Sequence, residues 1–143
     1  MHTEIEIEAP PSVAREAFLN LAAIPTYHTD FLKQVVPQNQ EKKDIEPGDR
    51  LTVIAGNMTF TPVVEVNSST EFTWRGTLGS TWLFTGAHSF KFLPAGEGKT
   101  RFVHAEEFGG VLVPVFSLLS AASTEKGFQR FNEDFKKYVE SRD

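Results

Sequence analysis

The sequence predicts an α+β domain, a series of antiparallel strands closed by one long helix. Three observations carry that reading. Residues 83–93 and 100–110 alternate at the two-residue period of a strand and are joined by the turn-forming stretch Pro94-Ala95-Gly96-Glu97-Gly98-Lys99. Further short runs are separated only by Gly56-Asn57 and Asn67-Ser68-Ser69, connections too short for a parallel crossover. From Pro114 the period turns helical and holds nearly to the end, with Phe128, Phe131, Phe135 and Tyr138 on one stripe and Arg130, Glu133, Lys136, Lys137 and Glu140 largely off it.

In chain order, residues 3–9 form a half-buried strand with Ile5 and Ile7 inward and Glu4, Glu6 and Glu8 outward. Pro10-Pro11-Ser12 stops it, and Val13, Ala14, Ala17, Phe18 and Leu21 recur at helical spacing, which predicts a helix from Pro11 or Ser12 to about Ala22. Pro25 is expected to separate this helix from a second helical turn at Tyr27 to Phe31. A strand at 33–36 precedes a polar loop that turns at Pro47-Gly48-Asp49, and strands follow at 50–55, 58–66 and 70–78. With the two long runs, the strands number seven. No repeat or linker divides the chain, so residues 1–143 form one domain.

Composition narrows the function. Lysine and arginine total 14 against 19 aspartates and glutamates, a formal charge of -5, and no basic stripe is present, so nucleic acid is not an expected partner. Without cysteine there is no disulfide, zinc-thiolate site or cysteine nucleophile. Met1 leads directly into an acidic alternating segment rather than a signal peptide. The longest uncharged stretch, 108–124, is broken by Gly109, Gly110, Pro114 and several serines, so no integral membrane segment is expected. The expectation is a cytoplasmic protein, either a monomer or a homodimer. Thirteen phenylalanines against two tyrosines and two tryptophans make the interior aromatic with few polar handles. That is compatible with an apolar ligand, but a plain Phe-rich core is the more common cause.

On the core-facing register of the two long runs lie Phe84, Gly86, His88, Phe90 and Phe92, then Phe102, His104, Glu106 and Phe108. Two histidines and a glutamate thus ride among rings, where ionisable groups need a partner, water or a task. Along the final helix the stripe of rings continues backward as Thr124, Ala121 and Ser117, small groups that leave room, with Gly127 between the two halves. This predicts a cavity that narrows at Phe128, Phe131 and Phe135 and opens near Ser117, Ala121 and Thr124.

The element order, with the stretches Phe72-Thr73-Trp74-Arg75-Gly76, Gly86-Ala87-His88-Ser89-Phe90 and Gly98-Lys99-Thr100-Arg101-Phe102-Val103-His104-Ala105-Glu106-Glu107-Phe108-Gly109-Gly110, resembles the SRPBCC superfamily (START-like or birch-pollen-allergen-like), in its polyketide cyclase/dehydrase-type branch. The resemblance spans essentially the whole chain. It implies the helix-grip fold: a seven-stranded antiparallel sheet wrapped around a long C-terminal helix, with two short helices after the first strand, enclosing an apolar pocket. It also implies a hydrophobic, polyketide-like or lipid-like ligand and no cofactor. Two departures matter. The plant members' glycine-rich loop corresponds here to Gln38-Asn39-Gln40-Glu41-Lys42-Lys43-Asp44, which has no glycine, and no Rieske-type Cys/His set is present. In this fold Tyr27, His28 and Asp30 fall on the segment that lines the cavity mouth.

Pairing the long runs face to face is expected to set His88 opposite His104, Phe90 opposite Phe102 and Gly86 opposite Glu106, with Trp74 near Gly86 and Phe72 near His88. The result is a polar patch of Glu106, His88 and His104 walled by Trp74, Phe84, Phe90 and Phe108. Such a set can move protons at neutral pH, enolising a carbonyl, closing an aldol ring or driving dehydration. The same groups can equally bond one another and orient a ligand without reacting. Three readings therefore stay open: a cofactor-free cyclase, dehydratase or isomerase; a carrier or sensor of a hydrophobic small molecule; and a partner-binding module with a collapsed pocket, as in co-chaperone relatives.

The remaining polar residues have ordinary explanations. No helix motif of metal ligands supports His28, His88, His104 or Glu106 as a metal site. Ser117, Ser120, Ser123 and Thr124 lack the context of a hydrolytic nucleophile. Arg75 and Arg101 fall on the outward register, and His2 is terminal.

Overall fold

The structure is a computed structural model that describes residues 1–42, 44–77, 84–111 and 113–142, with the backbone alone over 115–122. Strand β1 (His2–Ile7) leads into α1 (Pro11–Leu19), a 3₁₀ turn (Leu21–Ala23) and α2 (Ile24–Tyr27). Strands β2 (Leu32–Pro37), β3 (Leu51–Ala55), β4 (Met58–Phe60), β5 (Val63–Asn67), β6 (Glu71–Thr77), β7 (Thr85–Pro94) and β8 (Thr100–Gly109) follow, and α3 (Val113–Glu140) closes the chain.

The α+β class, the antiparallel pairing and the long last helix agree with the expectation. The strand count does not. Among the described residues there are eight strands in two sheets, a five-stranded one ordered β1-β8-β7-β6-β5 and a three-stranded one ordered β2-β3-β4, rather than one seven-stranded sheet. The cause lies in the run expected at 58–66. Pro62 has no N–H to give a ladder, and the run breaks at Thr61-Pro62 into β4, which pairs with β3, and β5, which pairs with β6. Pro25 also acts differently from expectation. It sits in the first turn of α2, where its missing N–H costs nothing, so the short helix begins at Ile24 rather than Tyr27. Helix α1 ends at Leu19, three residues before the expected stop.

Register is the third correction. The β7–β8 turn closes with Pro94 opposite Thr100, and Gly96 and Gly98 adopt positive φ within it. That tight closure slides the pairing by two residues from the expected one. His88 faces Glu106, Phe90 faces His104 and Gly86 faces Phe108. The same offset in the preceding pair sets Trp74 opposite His88 and Phe72 opposite Phe90. Because the slip is even, every side chain keeps its face.

The core lies between the five-stranded sheet and the ring-bearing half of α3. Phe18, Phe72, Trp74, Phe90, Phe92, Phe102, Phe128, Phe131 and Phe135 are fully buried there. Phe18 packs edge-on against Phe72, Phe131 and Phe135, so α1 is stitched to sheet and helix together. Among the described residues no helix is long and apolar enough to cross a membrane.

Candidate functional site

A cavity of about 660 Å³ opens beside the middle of α3. Its inner wall is His88, Glu106 and Phe108 from β7 and β8, and Phe31 and Phe60 add apolar surface. Ser123, Thr124, Gly127 and Arg130 line it from α3, and the β3–β4 hairpin tip (Ala55, Gly56, Asn57, Met58) borders the opening. The size suits a small ring-bearing molecule.

Two glycines shape this space. A methyl group on Gly86 would stand 2.7 Å from Glu106 Oε2, so the carboxyl occupies the room that the missing side chain leaves on the neighbouring strand. The expected open space beside Glu106 is therefore present, although across the diagonal of the pair. The second is Gly127, between the two halves of the α3 stripe. A Cβ there would lie 2.6 to 3.0 Å from three carbons of Phe31, so the bare helix seats the Phe31 ring.

The polar groups form a chain running inward from the cavity. Glu106 Oε1 lies 3.7 Å from His88 Nδ1, and His88 Nε2 meets His104 Nε2 at 2.6 Å. His104 Nδ1 is 2.9 Å from Asn132 Oδ1, Asn132 Nδ2 donates to Thr3 Oγ1 at 2.9 Å, and the Thr3 hydroxyl donates to the His104 carbonyl at 2.7 Å. Rings enclose the histidines: His104 stacks on Phe128 with centres 4.0 Å apart, and His88 stacks on Phe90 at 4.8 Å. Burial in this setting holds both imidazoles in the neutral form. His104 is pushed down to about 3, and His88 lies well below its ordinary value, from burial first and its partner ring second. Burial has the opposite sense for the acid and raises Glu106 to about 7. A carboxyl titrating near neutrality can both take and give a proton.

The structure brings Glu106, His88, Phe108, Thr124 and, from the expected mouth segment, Asp30 to the cavity. Other expected site residues stand outside its lining. His104 is fully buried and reaches the cavity only through His88. Trp74 and Phe90 are core rings packed on His88, and Phe84 packs on Phe108 with ring centres 5.7 Å apart. Tyr27 stacks on Tyr138 at 4.3 Å, against the ring-bearing half of α3, and its buried hydroxyl has no partner among the described residues. His28 is a clamp: Nδ1 lies 2.8 Å from Asp134, and Nε2 accepts the N–H groups of Phe31 and Leu32 at 3.1 Å. The side chains of Ser117 and Ala121 lie outside the described residues.

Sequence reading passed over Thr3 and Asn132. Both had a signal. Thr3 shares the inward register of Ile5 and Ile7, and Asn132 stands four residues after Phe128 on the buried side of α3. The hairpin tip gave none, because its place over the cavity comes from the division into two sheets. Among the described residues no three histidines, aspartates or glutamates converge as metal ligands would.

The family model described as "Polyketide cyclase / dehydrase and lipid transport" matches residues 1–140. No curated protein matches in sequence. Solved structures that resemble the chain include a hypothetical protein of Helicobacter pylori, with a TM-score of 0.78 and 12% identity over 96% of this chain and 86% of that one. The ZhuI aromatase/cyclase from Streptomyces sp. R1128 superposes with a TM-score of 0.73 at 11% identity, over 99% of this chain and 93% of that one. Norcoclaurine synthase from Thalictrum flavum, solved with dopamine and hydroxybenzaldehyde, gives 0.72 at 9% identity over 100% and 87%. At these identities the likeness is one of fold. The match over nearly the full length, on an antiparallel sheet gripping a long helix beside an apolar cavity, makes this chain a member of the polyketide cyclase/dehydrase and lipid transport family.

Proposed function

We propose that the protein binds a hydrophobic, ring-bearing small molecule of polyketide-like or lipid-like character and moves protons on it without a cofactor, in a cyclisation, dehydration or isomerisation. The observation that carries this reading is the position of Glu106: a carboxyl with a midpoint near 7, beside the neutral His88, at the inner wall of a cavity of about 660 Å³. As carboxylate it removes a proton next to a ligand carbonyl, and as acid it returns one to a departing hydroxyl. Family membership and the likeness to an aromatase/cyclase support the ligand class. The collapsed-pocket reading gains no support, since large exposed apolar residues among those described are scattered singly at Val13, Met58 and Val111.

A non-reacting carrier uses the same cavity, and one experiment separates the two. Native mass spectrometry of the purified protein should find a bound mass in the fatty-acid or polyketide range. With that ligand, Glu106→Gln should keep affinity within about tenfold, about 1.4 kcal/mol, while turnover falls by roughly 10² to 10⁴. Unchanged turnover would remove Glu106 as the proton carrier. Tight binding with no turnover in the parent protein would establish the carrier.

A further inference from the structure

The buried chain behind the cavity fixes where each proton sits. Thr3 has one hydroxyl proton, and the His104 carbonyl, which can only accept, takes it at 2.7 Å. Thr3 Oγ1 must therefore accept from Asn132, which orients the amide with Nδ2 toward Thr3 and Oδ1 toward His104. An amide oxygen only accepts, so His104 carries its proton on Nδ1. Its Nε2 is then a lone pair, and the 2.6 Å contact between the two Nε2 atoms requires the intervening proton to belong to His88. A neutral His88 protonated on Nε2 has a bare Nδ1, the nitrogen on the Glu106 side of the ring, 3.7 Å from Oε1. The polarity of the cavity's inner end is thus set by Thr3, a strand away, and by Asn132 on α3, whose Phe128 carbonyl also accepts from His104.

We infer that Thr3 and Asn132 are positioning residues that hold His88 in the Nε2–H form, so that the cavity presents an acceptor nitrogen beside the Glu106 carboxyl and selects ligands bearing a phenolic or enolic hydroxyl. This rests on the reading of the cavity as a ligand site. A hydroxyl oxygen placed there gives its proton to His88 Nδ1 and accepts from the carboxylic acid form of Glu106. An ether or a ketone of the same shape leaves the nitrogen unpaired in a buried site, which costs more than a missing bond in water.

The test has two arms. Long-range ¹H–¹⁵N spectra of the uniformly labelled protein report each histidine's tautomer without any ligand. The expected pattern is Nδ1–H at His104 and Nε2–H at His88, and Asn132→Leu should disturb it while Asn132→Ala and Thr3→Val provide further folded variants to compare. An Nδ1–H form at His88 in the parent would overturn the inference, as would an unchanged pattern in every folded variant. In the second arm, 2-naphthol and 2-methoxynaphthalene are titrated separately into the parent protein. The naphthol should bind at least about tenfold tighter, and equal or reversed affinities would overturn the selectivity. If neither probe binds while the tautomers are as expected, the ligand reading of the cavity fails, and with it the selectivity, but the positioning of His88 stands.

Discussion

A buried carboxyl needs room as well as a reason to stay neutral, and Gly86 supplies the room. Its backbone is ordinary extended strand, so what matters is the absence of a Cβ 2.7 Å from Glu106 Oε2. The atom it would meet is the free end of a flexible side chain, which can swing toward the cavity opening. Gly86→Ala is therefore expected to fold with a stability change within about 1 kcal/mol, while the Glu106 carboxyl moves into water. Its midpoint should fall from about 7 toward the ordinary carboxylate range near 4.5. Carboxyl ¹³C shifts followed across pH would read this directly, and an unmoved midpoint would show that Gly86 is not the seat. At this scale the sequence already held the Gly86–Glu106 relation, because an even register error leaves both residues on one face. Their diagonal placement came from turn geometry at Gly96 and Gly98, which residue alternation does not encode.

Helix α3 serves two neighbours, the core and the cavity, and Gly127 lies where the two meet. On one side Phe128, Phe131 and Phe135 fill the core; on the other Ser123, Thr124 and Gly127 line the cavity. Alanine at 127 would gain helix propensity, up to about 1 kcal/mol. It would also press on the base of the Phe31 side chain, which cannot swing clear as a chain end can, at a cost of about 1 to 3 kcal/mol. The expected result of Gly127→Ala is a net loss of up to about 2 kcal/mol in urea unfolding, with weaker ligand binding because Phe31 is itself cavity wall. A gain of about 1 kcal/mol would mean that Phe31 leaves freely. Strands, helix and the inward face were legible because period and turn residues are local properties. The split into two sheets was not, because it depends on what β4 pairs with once Pro62 ends its ladder, and the segment 28–32 depends on the His28 clamp to Asp134, 106 residues away.

At the scale of the whole molecule, the buried polar chain makes stability depend on pH in two opposed ways. His88 and His104 have folded midpoints below their ordinary 6.5, so the unfolded chain binds more protons and their contribution, present above pH 6.5, is lost on acidification, for His104 as pH falls toward about 3. Glu106 has a folded midpoint of about 7, above its ordinary 4.5, so its contribution is present below pH 4.5 and lost as pH rises through 7. Between pH 4.5 and 6.5 the two histidines act against one carboxyl, and stability should fall on acidification. The carboxylates with lowered midpoints, Glu4, Asp49 and Glu140, sit at the surface and add little to this. Glu106→Gln isolates the opposing arm. Above pH 7 the parent protein holds an ionised carboxylate in a largely buried place, and the amide removes that cost, so the variant should be the more stable by roughly 1 to 3 kcal/mol at pH 8. Below pH 4.5 both side chains are neutral and the difference should vanish. Urea unfolding of the two proteins at pH 4, 6 and 8 measures it, and equal stabilities at pH 8 would mean that the Glu106 carboxylate is fully solvated in the open cavity.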